Sequence, residues 1–221
     1  MIVTIDGPAG SGKSTAARLL ADRLGFPFLD TGAMYRAVAL ESLSVGIDLD
    51  DEARVAEVAR RLDIDALGST VRANGRDVTA AIRAPEISGA ASRVAANPAV
   101  REAMVCLQRQ AAAGRDIVTE GRDQGTVVFP QAECKFYLTA DPHERARRRQ
   151  GELESQGERV SFDDLLAQIL ERDTRDKTRE TSPLVPADDA LHIDTSHMSP
   201  DEMVRCLETI VRRRLARRPP P

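Results

Sequence analysis

Ile2-Val3-Thr4-Ile5 is a β-branched run that ends against three glycines, at positions 7, 10 and 12. Branched side chains pack well on a pleated surface, so the run reads as a strand, and Gly7-Pro8 cannot continue it. The apolar spacing then changes. Ala17, Leu20, Ala21 and Leu24 recur at i, i+3, i+4 and i+7, the period of one helix face, and Gly25 with Pro27 ends that helix. Two different periods separated by one glycine-rich turn dictate a strand–loop–helix unit. The turn itself, Gly7-Pro8-Ala9-Gly10-Ser11-Gly12-Lys13-Ser14, fits G-x-x-x-x-G-K-[ST] throughout.

Each part of that pattern has a physical reason. Glycines let backbone N–H groups converge on an anion without Cβ clashes, and the helix starting near Lys13 adds its positive dipole end. Lys13 is expected to meet the β- and γ-phosphates of a bound ATP or GTP, and the Ser14 hydroxyl to ligate Mg²⁺. Gly7, Pro8, Ala9, Gly10, Ser11, Gly12, Lys13, Ser14 and Thr15 form the expected nucleotide cradle, with Lys13 catalytic and Ser14 the metal ligand. A glycine-rich turn can match such a pattern idly; the strand before it and the amphipathic helix after it favour the phosphate site. The loop defines the phosphoryl donor and leaves the acceptor open.

Further apolar runs, at Asp116-Ile117-Val118-Thr119, Cys134-Lys135-Phe136-Tyr137-Leu138 and Leu191-His192-Ile193, read as buried strands. Helical stretches alternate with them. Asp141-Pro142-His143-Glu144 and Ser199-Pro200-Asp201-Glu202 each supply a cap, a proline at the first helical position and a glutamate to reach back. Ser161 with Asp164 opens another helix carrying Leu165, Leu166, Ile169 and Leu170. The alternation implies an α/β fold with a parallel sheet covered on both faces. One stretch breaks it: Val71 to Val78 is two short extended runs around Asn74-Gly75, the signal of a tight antiparallel hairpin, and Leu62 to Asp65 reads as a third strand. A small inserted subdomain is therefore expected at 62–99, within a core of 1–61 and 100–221, and the end at Pro219-Pro220-Pro221 as a frayed tail.

The 221 residues suit one domain with an insert. A net charge of −4 gives no global sign of a nucleic-acid or membrane partner. No apolar run approaches the ~20 residues of a membrane span, and the N-terminus lacks the layout of a signal peptide. A cytoplasmic monomer acting on small molecules is expected. Cys106, Cys134 and Cys206 lie far apart, in no metal-binding or disulfide pattern, and each reads as a small core residue; His143, His192 and His197 fit no catalytic arrangement.

Two clusters point to the acceptor. Asp30-Thr31-Gly32-Ala33-Met34-Tyr35-Arg36 follows the extended piece Phe28-Leu29, and Glu120-Gly121-Arg122-Asp123-Gln124-Gly125-Thr126 follows another strand. Both should lie at the strand edge where open parallel sheets bind ligands, and packing explains neither arginine. Together with Arg172-Asp-Thr-Arg-Asp-Lys-Thr-Arg179, and with Gly121 to Pro130, these motifs resemble bacterial cytidylate (CMP) kinase over essentially the whole chain. The resemblance implies a three-layer P-loop fold with a five-stranded parallel sheet and a small inserted antiparallel subdomain that binds the monophosphate. It implies that Arg36, Arg122 and Arg179 hold the CMP phosphate, with Thr31 near the nucleotide. Ser92, Arg101 and Asp123 match residues that contact cytosine, and Arg172 and Asp176 match residues that grip the ribose. Independently, Arg172, Arg175, Asp176 and Arg179 fall at i, i+3, i+4 and i+7. That spacing alone favours a solvated charged face laced with i,i+4 pairs; the resemblance is what turns it toward a ligand.

Arg145, Arg147, Arg148 and Arg149 resemble the lid of nucleoside monophosphate kinases, at about 143–160. Arg145, Arg148 and Arg149 share a face while Arg147 points elsewhere, and Arg145 and Arg148 are the expected catalytic pair. Two residues depart from the family pattern: Glu120 stands where aspartate is common, and Gln124 where an apolar residue is common. The expected activity is Mg²⁺-dependent transfer of the ATP γ-phosphoryl group to CMP or dCMP. A kinase for another metabolite such as shikimate is disfavoured by the insert and the Arg172–Arg179 helix. A nucleotide-state switch would need a guanine-reading N-K-x-D, which the sequence lacks.

Overall fold

The computed structural model describes residues 1–155 and 157–218; the expected tail at Pro219-Pro220-Pro221 lies outside them. In chain order the elements are β1 (Ile2–Asp6), α1 (Lys13–Leu24), β2 (Phe28–Asp30), α2 (Thr31–Ser44), α3 (Glu52–Arg61), β3 (Ile64–Asp65), β4 (Arg72–Ala73), β5 (Arg76–Asp77), α4 (Pro85–Val94), α5 (Pro98–Ala112), β6 (Ile117–Gly121), β7 (Cys134–Thr139), α6 (Pro142–Ser155), α7 (Phe162–Thr178), β8 (Leu191–Asp194) and α8 (Pro200–Leu215).

Five strands form one sheet in the order β2-β6-β1-β7-β8, with every pairing parallel. Its central strands are apolar on both faces because helices cover both. On one side Val3, Ile5, Val118, Phe136 and Leu138 pack with Ala17, Leu20 and Ala21 of α1 and Val204, Leu207 and Val211 of α8. On the other, Leu29 and Ile117 join residues of α2, α3, α4 and α5 in a second cluster. These are the three layers expected.

The hairpin forms as the Asn-Gly signal requires. Asn74 and Gly75 both have positive φ, at 49° and 75°, which matches the twist of a two-residue hairpin turn. The β3-β4-β5 sheet is antiparallel throughout. Ala73 of this sheet, with Val71, Ile82 and Ile87 beside it, belongs to the same cluster as α2 and α5. The chain just after β3 also pairs with the large sheet: Leu67 bridges Leu29, the Asp30 N–H donates to Ala66 O at 3.3 Å, and the Gly68 N–H donates to Phe28 O at 2.8 Å.

Some expectations shift. β8 is an edge strand, with Leu191 41% exposed, so that apolar run is only half covered. Only Cys134 is a core cysteine; Cys106 faces outward on α5 and Cys206 is half-buried. Ser199 makes the full capping box with Glu202. At the start of α6, Asp141 accepts from the His143 N–H at 2.8 Å, but Glu144 pairs with Arg147 instead of reaching back. Ser161 precedes α7 without a side-chain cap bond, and Leu170 points to solvent. The three histidines are exposed.

Candidate active site

Gly7, Gly10 and Gly12 all have positive φ, and Gly7 could carry no side chain: a Cβ there would lie 2.1 Å from the Leu138 carbonyl oxygen. The Gly7–Ser14 loop therefore folds tightly against the end of β7 and opens α1 at Lys13. Lys13 is buried. Its ammonium donates to Pro8 O at 3.0 Å and lies 3.9 Å from Glu120 Oε2. Burial, with the Arg122 charge next in weight, pushes its pKa down to about 7. Ser14 and Thr15 are exposed at the loop mouth, and the Ser14 hydroxyl donates to Glu120 Oε1 at 3.0 Å.

Glu120 is the wall shared with a second cavity. Thr31, Arg36, Ser92, Arg101, Arg122, Asp123, Arg172, Asp176 and Arg179 all line that cavity, together with Tyr35 and Glu120. These nine residues come from α2, α4, α5, the end of β6 and α7, so the fold gathers into one place positions spread over about two-thirds of the chain. Arg101 pairs with Asp123, both of them buried, and its guanidinium lies over the Tyr35 ring, 5.5 Å from the centroid. Arg122 Nε donates to Asp176 Oδ2 at 2.7 Å, Thr31 Oγ1 to Glu120 O at 2.7 Å, and Arg179 Nε to Ser182 O at 2.6 Å.

The cavity has more cation than it can satisfy. Arg36 Nε, Arg101 Nε, Arg172 Nε and Arg179 Nη2 are buried with no hydrogen-bond partner among the described residues. Orphaned buried donors on charged groups are costly. Burial and the Arg122 charge push the Arg172 pKa down to about 10. Burial would raise the Asp176 carboxyl, but Arg122, Arg172 and Arg179 outweigh it and hold it below the usual range. An oxyanion with several acceptor atoms is the ligand such a site fits.

The helical-face reading of α7 holds in part. Arg172 and Asp176 face the cavity, and Arg179 reaches it from just past the helix end. Arg175 is exposed, clamped to Glu171 Oε1 at 2.5 Å and donating to Ser92 Oγ at 3.2 Å. The lid arginines lie within helix α6. Arg149 shares the helix face of Arg145 and Arg148, as expected, but is exposed and paired with Glu152. Arg148 donates to Thr195 O and, at 3.3 Å, to Ser196 O. Arg145 runs beneath the Gly7–Ser14 loop.

Sequence reasoning gave no account of Gln124, and the structure supplies one. Its backbone N–H and that of Gly125 donate to the two oxygens of Asp6, at 2.9 and 2.7 Å. Its side chain accepts from Thr119 Oγ1 and donates to Gln108 Oε1, both at 3.0 Å. Gly121 is needed beside it, since a Cβ there would lie 2.8 Å from Gln124 Cγ. This buried polar chain holds the loop that carries Arg122 and Asp123. Burial pushes the Asp6 carboxyl up to about 7 against the pull of those two N–H groups. Tyr35 and Gln108 were also missed; Tyr35 sits inside the Asp30–Arg36 motif, four residues after Thr31, where helical spacing could have exposed it.

A family model described as cytidylate kinase matches residues 3–213. The chain belongs to the cytidylate kinase family. It is 47% identical over 219 residues to the cytidylate kinase of Shewanella loihica, covering 97% of this chain and 95% of that one. Against the cytidylate kinase of Pelotomaculum thermopropionicum it is 51% identical over 210 residues, 93% of each chain. Among solved structures, an uncharacterised protein from Eubacterium ventriosum shares the fold with a TM-score of 0.50, at 14% identity over 98% and 99% of the two chains. Cytidylate kinase chemistry implies Mg²⁺, and the residues present fit it. An exposed serine hydroxyl held by a buried carboxylate offers hard oxygen donors at the mouth of a phosphate loop, and Mg²⁺ takes few protein ligands beside substrate phosphates and water.

Proposed function

We propose that this chain transfers the γ-phosphoryl group of ATP to CMP or dCMP, giving CDP or dCDP and ADP, as a cytoplasmic monomer. The observation that carries the reading is the cavity across Glu120 from the phosphate loop, where five guanidinium groups converge and four keep a buried N–H with no partner among the described residues.

The bond between the β,γ-bridging oxygen and the γ-phosphorus breaks as an oxygen of the acceptor phosphate attacks in line. That oxygen is already anionic near neutral pH, so no strong general base is required, and positioning with charge neutralisation does the work. Loop N–H groups and Lys13 hold the donor phosphates. Arg36, Arg122 and Arg179 hold the acceptor phosphate beside Thr31. The Arg101–Asp123 pair faces the base, where a carboxylate accepts from the exocyclic amine and a guanidinium donates to ring acceptors. Ser92, Arg172 and Asp176 serve the nucleoside. Mg²⁺, held by Ser14 with Glu120 orienting its water, would neutralise charge on the β- and γ-phosphates. Arg148, beside Gly12, is the lid cation best placed to turn toward the transferring group. Closing the 62–99 insert and the lid excludes water.

A coupled assay over CMP, dCMP, UMP, AMP and shikimate tests this. Turnover should be highest on the cytidine monophosphates, and Arg122→Ala should raise the CMP KM and lower kcat by roughly 10²-fold. Arg122→Ala kinetics unchanged from the parent would sink the acceptor assignment.

A further inference from the structure

Arg145 uses four of its five N–H donors on the protein itself. Nε donates to Ala140 O at 3.0 Å, Nη1 to Ala9 O and to Asp173 Oδ1 at 3.0 Å each, and Nη2 to Asp173 Oδ2 at 2.6 Å. Arg145 and Asp173 are 3% and 7% exposed. The arginine stem supports the phosphate loop from below, since a Cβ at Gly10 would meet Arg145 Cβ at 3.0 Å. A guanidinium held this way orients its neighbours. The Ala9–Gly10 peptide is planar, so drawing the Ala9 carbonyl toward Arg145 turns the Gly10 N–H to the opposite side, where an anion nest needs it. At its other end, the bidentate pair grips α7 between Arg172 and Asp176, which line the acceptor cavity.

We infer that Asp173 is a positioning residue for phosphoryl transfer: through Arg145 it ties the donor loop to the helix lining the acceptor cavity, so that filling one pre-organises the other. Arg145 is the strut in this arrangement, in place of the catalytic lid cation that the motif suggested. The inference rests on the reading of the Gly7–Thr15 loop as a nucleoside triphosphate site and of the cavity as the CMP site. A buried pair is also a structural element. Breaking it strands a charge, whereas replacing both partners with apolar groups is often neutral for stability. That difference separates the two roles.

The experiment titrates a non-hydrolysable ATP analogue with Mg²⁺, and then CMP with and without the analogue. It uses the parent chain, Asp173→Asn, and the double variant Arg145→Met with Asp173→Leu, each with its thermal midpoint. In the parent the analogue should tighten CMP roughly 10-fold. Both variants should lose that coupling and bind the analogue roughly 5-fold or more weaker, although the double variant recovers its midpoint. A double variant that melts like the parent and keeps analogue affinity and coupling overturns the inference, as does a parent chain with no coupling. The analogue titration needs no acceptor, so it decides the role of the pair even where failure to bind CMP would count against the functional reading.

Discussion

Lys13 should take up a proton when the phosphate loop fills. Its pKa is lowered from 10.5 to about 7, first by burial and then by the Arg122 charge. For a depressed lysine the unfolded chain carries a proton that the folded chain lacks between about pH 7 and 10.5. On its account stability therefore rises with pH across that window and is lost as pH falls toward 7. Ligand binding reverses the shift, because phosphate charges next to the ammonium favour its protonated form. At about pH 8 the free protein holds Lys13 ~0.9 neutral, so binding should absorb ~0.9 proton, and affinity should weaken roughly tenfold per pH unit above 7. Isothermal titration of ADP or a non-hydrolysable ATP analogue, in buffers of different ionisation enthalpy, reads the proton count directly. The control is Lys13→Arg, whose side chain stays charged and should take up none. An uptake below ~0.2 proton in the parent chain at that pH would refute the argument that burial discharges this lysine.

Gln108→Leu leaves the Gln124 amide without its buried acceptor, which should cost about 1–3 kcal/mol, or roughly 2–12 °C of thermal midpoint; adding Gln124→Met should recover much of it. Gly7→Ala drives a Cβ into the Leu138 carbonyl and should abolish nucleotide binding or soluble expression. Gly25→Ala, at φ 69° with nothing within 4 Å, should cost only about 1–2 kcal/mol by thermal melt.

Residues that act through local spacing were legible in the sequence. The phosphate loop was readable because strand, glycines and helix are contiguous, and the insert because Asn74-Gly75 specifies its own turn. The nine residues proposed for the acceptor came from the family resemblance, yet their meeting in one cavity depends on the strand order, which places β6 between β2 and β1. What stayed hidden needed partners distant in sequence. Nothing near Arg145 announces Asp173, 28 residues on, and Gln124 makes sense only once Gln108 and Thr119 stand beside it. The run at Leu191 misled for a related reason: a short apolar run marks a strand, while its place at the sheet margin decides how much of it is covered.

The pairing of Leu67 with Leu29 matters for solubility as well as for the site. An open parallel sheet has two margins, and each offers bare N–H and C=O groups to any passing strand. Residues 66–68 occupy the β2 margin with main-chain bonds of their own. The opposite margin is β8, only four residues long and ending in Asp194. If the hairpin swings during catalysis, residues 66–68 must keep their bonds to β2 throughout, because freeing them would unmask a template for aggregation at every turnover.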